Sequence, residues 1–196
     1  MNQSPSPYIP HLRGPVPLSH LLLRQFVKPG DAVVDATCGN GNDTLLLAEL
    51  VGSTGRVWAF DIQSDAIRQA AGRLAESGYG ERVEFVPAGH ETMAAPVAPG
   101  LAAVVFNLGY LPGGDRTIIT RPETTLAACG QALNLLKPGG ILAVTAYPGH
   151  EGGERERAAV DAWAADLDPR SFHSWRMGQA NVPPTAPYLI LIQKAV

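Results

Sequence analysis

Residues 33–44, VVDATCGNGNDT, constrain the fold of this chain more than any other stretch. Apolar residues lead into Asp35, as at the end of a buried strand. Gly39 and Gly41 follow, one residue apart, and residues 44–50 take up a helical pattern. A strand that breaks into a Gly-x-Gly turn and opens a helix brings bare backbone to a ligand at a helix N-terminus. Two details turn the loop away from dinucleotides. The third glycine of that fingerprint is missing, because Thr44 stands three after Gly41. Asp35 and Asp43 flank the loop, and carboxylates there repel a pyrophosphate. An acidic rim suits S-adenosylmethionine, which has no phosphate and carries an ammonium and a sulfonium.

Asp61 comes 22 residues after Gly39 and closes the apolar run 56–60, RVWAF. An acid at the end of a second strand is placed to accept both hydroxyls of a ribose. Together the loop and Asp61 resemble motifs I and II of class I methyltransferases. On that footing Asp35, Gly39, Gly41 and Asp61 are expected cofactor residues. The rest of the chain alternates strand and helix signals. Helices are expected over 19–27 (capped by Ser19), 44–50, 64–77, 122–136 and 154–167, and strands over 56–60, 83–86, 101–106, 141–147, 172–177 and 188–193. Residues 137–140, KPGG, read as a turn. The last two strands form a pair with antiparallel geometry. The pattern predicts an α/β fold: a Rossmann-like, doubly wound, mostly parallel sheet with an antiparallel C-terminal strand. Residues 1–17 hold five prolines, so 1–18 are expected as an irregular arm and 19–196 as one domain.

Composition excludes several function classes. No stretch approaches the roughly 20 apolar residues of a membrane span, and the N-terminus lacks the basic-then-apolar order of a secretory signal. Cys38 and Cys129 are the only cysteines. Their spacing gives neither a zinc site nor a disulfide framework, and it fits a reducing cytoplasm. A net charge of −3 does not advertise a nucleic-acid partner.

The far wall of the expected cleft lies after the strand 101–106, at Asn107-Leu108-Gly109-Tyr110. This polar-x-x-aromatic step resembles motif IV of amino-group methyltransferases. There the Asn107 amide oxygen would accept a hydrogen bond from an attacking amine, and Tyr110 would offer a ring face to a planar base. Gln63, two after Asp61, and the pair Gly89-His90 after the third strand fall within reach of the ribose and adenine.

The runs 107–115 (NLGYLPGGD), 123–126 (ETTL) and 147–153 (YPGHEGG) are more specific. With residues 35–44 and 60–63 they resemble the tRNA 5-(aminomethyl)-2-thiouridine methyltransferases, a family long labelled rRNA methylases. The resemblance runs from about residue 19 to the C-terminus. It implies S-adenosylmethionine as cofactor, held by Asn40, Asn42, Asp61, Gln63 and His90, and no metal. It also implies that residues 107–115 and 147–153 hold the wobble uridine of a tRNA anticodon loop, with Tyr110 and Tyr147 stacking on the base. Arg116, Arg121, Arg155 and Arg157 could meet phosphates, although spacing alone reads each as a solvated surface charge, and a homodimer is expected. The implied reaction turns 5-aminomethyl-2-thiouridine into 5-methylaminomethyl-2-thiouridine. Because a primary ammonium titrates near pH 10, some group must favour its free base. Asp115, Tyr147 and His150 are the candidates. The alternatives are a methyltransferase for rRNA, a small-molecule amine or a protein, and a non-catalytic protein that keeps the fold.

Overall fold

The computed structural model describes residues 11–111, 113–115, 117–149 and 152–196. Among these residues five α-helices and seven strands follow in the order α1 (Pro15–Phe26), β1 (Ala32–Asp35), α2 (Asn42–Val51), β2 (Arg56–Phe60), α3 (Ser64–Glu76), β3 (Val83–Val86), β4 (Leu101–Asn107), α4 (Pro122–Leu135), β5 (Leu136–Ala146), α5 (Gly153–Ala165), β6 (Phe172–Met177) and β7 (Tyr188–Lys194). The strands form one sheet in the order β3-β2-β1-β4-β5-β7-β6. The first five pair in parallel; β7 runs antiparallel to both β5 and β6. This is the expected mostly parallel, doubly wound sheet.

Each face of the sheet carries its own core. Leu23 and Val27 of the α1 segment, Leu47 and Val51 of α2, and Ala70 and Leu74 of α3 pack on one face against Val33, Val57 and Ile141. On the other, Ala128 and Ala132 of α4 and Val160 of α5 pack against Val34, Val104, Leu142 and Ile190. A strand buried on both sides needs no alternation. That is why β4 reads as the unbroken run Leu-Ala-Ala-Val-Val-Phe before Asn107. Each fully buried aliphatic side chain contributes about 1.5–3 kcal/mol, so these layers dominate the stability.

Two elements begin at least four residues earlier than expected. Helix α1 starts at Pro15, after Gly14 at φ 83°. Proline suits a first helical turn because it lacks the N–H that would go unpaired there. Ser19 is therefore not a cap but an interior residue, 3% exposed. Strand β5 starts at Leu136, so the KPGG turn is absorbed as a bulge. The register steps from Leu101 opposite Leu136 to Ala103 opposite Ile141. Gly140 is required in that bulge, since a Cβ there would sit 2.7 Å from the Leu101 carbonyl oxygen. Among the described residues no helix is long and apolar enough to cross a membrane.

Strands β1 and β4 are neighbours whose following connections leave on opposite faces of the sheet. A crevice opens beyond their carboxyl ends, the usual ligand position in such sheets.

Candidate active site

The crevice is a cleft of about 990 Å³. One wall comes from the loop after β1 (residues 36–40), the end of β2 (60–63) and the loop after β3 (88–91). The other comes from residues 107–111 after β4, residues 117–121, Thr124, Tyr147 and Gly149. Val16 of α1 and Thr185 and Pro187 before β7 complete it.

Backbone hydrogen bonds set the first wall. The Cys38 N–H donates to the Phe60 carbonyl (2.8 Å), and the Gly41 N–H to the Cys38 carbonyl (2.8 Å). Asp61 ties the loop to β2: its carboxylate accepts from the Gly39 N–H (2.8 Å) and the Gln63 N–H (2.9 Å). Each oxygen keeps a lone pair for a ligand hydroxyl. Gly39, Asn40, Asn42, Asp61, Gln63, Gly89 and His90 all line the cleft, as expected of cofactor residues. The Asn42 side-chain oxygen also accepts from Arg73 Nη1 at 2.5 Å, which anchors the loop to α3.

Gly41 lies behind this wall. Its φ is +74°, and a Cβ would stand 3.0 Å from the Ala70 Cβ and 3.2 Å from the Ala70 Cα. Left-handed backbone costs a non-glycine residue about 1–2 kcal/mol even without that crowding. Gly41→Ala is therefore expected to lower the melting temperature by roughly 3–10 °C. An unchanged melting curve would show that the loop does not need glycine here.

Asp35 also lies beneath the loop and not in its wall, fully buried. Its oxygens accept from the Thr44 hydroxyl (2.6 Å) and the Thr37 N–H (3.2 Å). It shapes the loop from below and does not face the cleft. Burial, and next the nearby Asp43 charge, push its carboxyl up to about 7, against the two hydrogen bonds. An acid titrating higher folded than unfolded stabilises the fold while protonated. That contribution is full below about pH 4 and is lost as pH rises through about 7. Asp35→Asn should therefore gain melting temperature relative to the natural chain as pH rises from 5 to 8. A constant difference across that range would contradict the assignment.

Asn107, the last residue of β4, sits at the meeting point of the two walls. Its N–H donates to the Thr37 hydroxyl oxygen (2.7 Å), and its Nδ2 donates to Asp43 Oδ2 (2.6 Å). A carboxylate only accepts, so the nitrogen side of the amide must face Asp43 and the oxygen side must face away. That oxygen, Oδ1, is buried and has no hydrogen-bond partner. An unpaired buried acceptor costs about 1–3 kcal/mol, which an incoming donor recovers.

His90 carries a second unpartnered buried atom, Nε2, while its Nδ1 faces the Ala36 carbonyl at 3.3 Å. Burial holds the imidazole below its ordinary titration range. The ring is thus neutral, with Nδ1–H toward the carbonyl and an Nε2 lone pair left to accept from a ligand.

Tyr110 and Tyr147 both line the second wall. Burial, and next the Asp43 charge, raise the Tyr147 phenol, so it stays neutral and acts as a hydrogen-bonding group and not as a base. Asp115 does not belong to the cleft: it is exposed, and its carboxylate accepts from the Thr117 N–H (2.8 Å) and hydroxyl (2.7 Å). Those bonds hold it below the usual carboxylate range and make it a turn cap. His150, like Arg116, lies outside the described residues. Among the phosphate-contact candidates, Arg121 lines the cleft. Arg155 pairs with Glu123 at 2.6 Å, and Arg157 with Glu154 and Asp161.

Five residues that the sequence did not single out as site residues prove to hold the site together. Asp43 joins Asn107 to His20, whose Nε2 lies 2.6 Å from Asp43 Oδ1. Glu156 of α5 is 2% exposed and accepts from the Thr120 and Thr125 hydroxyls, both at 2.6 Å. Thr120 in turn accepts from the Gly109 N–H at 2.8 Å, so a buried carboxylate braces the second wall. Asp43, at the mouth of the glycine loop, and Thr125, in the 123–126 run, carried a sequence signal; the other three did not.

Residues 57–193 match the family described as "Putative rRNA methylase". The chain belongs to this family. Its relatives include a chloroplastic tRNA (mnm(5)s(2)U34)-methyltransferase of Arabidopsis thaliana, 38% identical over 187 residues, which are 90% of this chain and 68% of that one. Among solved structures, a Clostridium thermocellum protein of the same family description superposes with a TM-score of 0.91 at 42% identity, covering 94% of this chain and 99% of its own. A Streptococcus mutans "putative methyltransferase" in complex with SAH does so with a TM-score of 0.85 at 35% identity, covering 94% and 99%.

Proposed function

We propose that this family member is an S-adenosylmethionine-dependent N-methyltransferase that converts 5-aminomethyl-2-thiouridine at the tRNA wobble position into 5-methylaminomethyl-2-thiouridine. The observation that carries the reading is Asn107 Oδ1, a buried acceptor without a partner at the switch-point cleft. The relationship to a protein named for that wobble modification, over 90% of this chain and 68% of that one, supports the choice of substrate.

The cofactor fits the first wall. Asp61 would accept the ribose hydroxyls, the Gly39–Asn42 turn would meet the amino-acid part, and His90 Nε2 would accept from the adenine amino group. When bound, S-adenosylmethionine supplies a methyl group activated by its sulfonium. Asn107 Oδ1 accepts one amine N–H and thereby aims the nitrogen lone pair along the cleft. Catalysis is then mostly alignment, which alone can contribute many orders of magnitude in effective concentration. Neither Asp115 nor Tyr147 is built to take the amine proton, which leaves His150, outside the described residues, and desolvation beside the sulfonium to favour the free base. Tyr110 and Tyr147 offer ring faces to a base splayed from the anticodon loop.

The enzyme is read as cytoplasmic, with Cys38 and Cys129 free and buried as a reducing compartment permits. A homodimer belongs to the same reading through the family resemblance. Light scattering that gives one 20.7 kDa chain at micromolar concentration would remove it.

The reading is tested with methyl-labelled S-adenosylmethionine and tRNA lacking the terminal methyl group. Label should enter intact tRNA and become nuclease-sensitive. Label appearing instead in free amines, protein or rRNA would contradict the tRNA assignment.

A further inference from the structure

Helix α1 precedes every motif of the site, yet it reaches the centre of it. Val16 lines the cleft, and His20, four residues on and so on the same helix face, meets Asp43 at 2.6 Å. Asp43 is nearly buried, 6% exposed, and spends one oxygen on His20 and the other on Asn107. The three side chains form one line from α1 to the unpartnered Oδ1.

We infer that His20 and Asp43 are positioning residues for Asn107: through this line, α1 fixes the face that the amide turns to the methyl acceptor. An isolated amide can rotate by half a turn at little cost and present its NH2 group instead. A donor would then face the N–H of the incoming amine, and alignment would be lost. Asp43 removes that freedom, because the reversed amide would set its oxygen against a carboxylate. Charge on Asp43 also draws density along the amide toward Oδ1, making it a better acceptor. His20 in turn fixes Asp43, since Nε2 must carry a hydrogen to face a carboxylate oxygen. Without that bond the carboxylate is free to rotate away from Asn107. His20 is 30% exposed on its side chain, so the line begins at the surface and ends in the cleft. No spacing in the sequence connects the three.

This inference rests on the methyltransferase reading, and its test separates the two. His20→Leu and His20→Gln are compared, the second keeping an N–H near the position of Nε2. Single-turnover methyl transfer at saturating cofactor and tRNA should fall about 10-fold or more in His20→Leu. The dissociation constant for S-adenosylmethionine should stay within about threefold, as its contacts lie on the other wall. His20→Gln should recover most of the rate. Equal losses in both variants, an unchanged rate in His20→Leu, or a loss that follows cofactor affinity would overturn the positioning role. Should His20→Leu fail to fold, Asp43→Asn takes its place. An amide offers one accepting oxygen to two donors, so its rate should fall at least as far, and an unchanged rate overturns the inference. If the natural enzyme itself leaves aminomethyl tRNA unmethylated, the substrate reading fails instead. The line is then judged by the Asn107 side-chain NH2 resonances in 15N–1H spectra, which should move in His20→Leu; unmoved resonances overturn it.

Discussion

Asn107→Ala is expected to slow methyl transfer by about 100-fold or more, because misaligned reactants commonly lose that much. Asn107 Oδ1 is the unspent acceptor on the β4 side of the crevice, and alanine leaves the amine nothing there to orient on. Affinity for S-adenosylmethionine should change only a few-fold, since Asp61 and the glycine loop lie on the opposite wall. Some stability will be lost as well, because Asp43 Oδ2 loses its donor. Single-turnover rates and calorimetric cofactor titrations on the same folded preparation separate these effects. A variant that methylates normally, or that fails only because it no longer holds the cofactor, would make Asn107 structural.

Asp61→Ala should act in the complementary way. Two ribose hydroxyls would lose a charged acceptor, weakening cofactor binding by about 1–3 kcal/mol, roughly five- to 150-fold in Kd. The structure adds a second cause. The same carboxylate anchors the Gly39 and Gln63 N–H groups, so its removal also loosens the loop that meets the ligand. The upper part of that range is therefore the expected result, with the fold intact because Asp61 sits at a strand end. Methyl transfer at saturating cofactor should recover far more than in Asn107→Ala. An unchanged Kd in a folded variant would sink the assignment of the first wall.

What the sequence made legible was local. A strand end, two glycines and a helix start lie within a dozen residues, and Asp61 closes the next strand, so the place of the first wall could be read from spacing, although Asp35 and Gly41 lie behind it. The unbroken apolar run of β4 announced its burial and thereby placed Asn107 at a strand's carboxyl end. Helix α1 was legible too, but its start was expected at Ser19 as a cap, four residues after the Pro15 that opens its first turn. The early start of β5 was not local, since pairing with Leu101 draws Leu136 into the sheet across a glycine-bearing bulge.

Side-chain direction was the other limit. Asp35 and Asp61 both close strands before loops, yet one points under the loop and the other into the cleft. The partnership of His20 with Asp43 spans 23 residues and that of Asp43 with Asn107 spans 64. Glu156 reaches Thr125 across 31. Such pairs follow no period of helix or strand, and only the packed fold brings them together. Asp115 erred in the opposite direction. A carboxylate in a glycine-rich loop looked available for chemistry, but Thr117, two residues on, had already claimed it.

The central claim is that this chain methylates the amine of an aminomethylated wobble uridine in tRNA. Mass spectrometry of nucleosides digested from tRNA, incubated with S-adenosylmethionine in the presence or absence of the purified protein, tests it most directly. The account predicts that 5-aminomethyl-2-thiouridine disappears and its methylaminomethyl counterpart, heavier by one CH2, appears in equal amount only when the protein is present. Persistence of the aminomethyl nucleoside beside an active control enzyme, or a new methyl group on any other nucleoside, would contradict it.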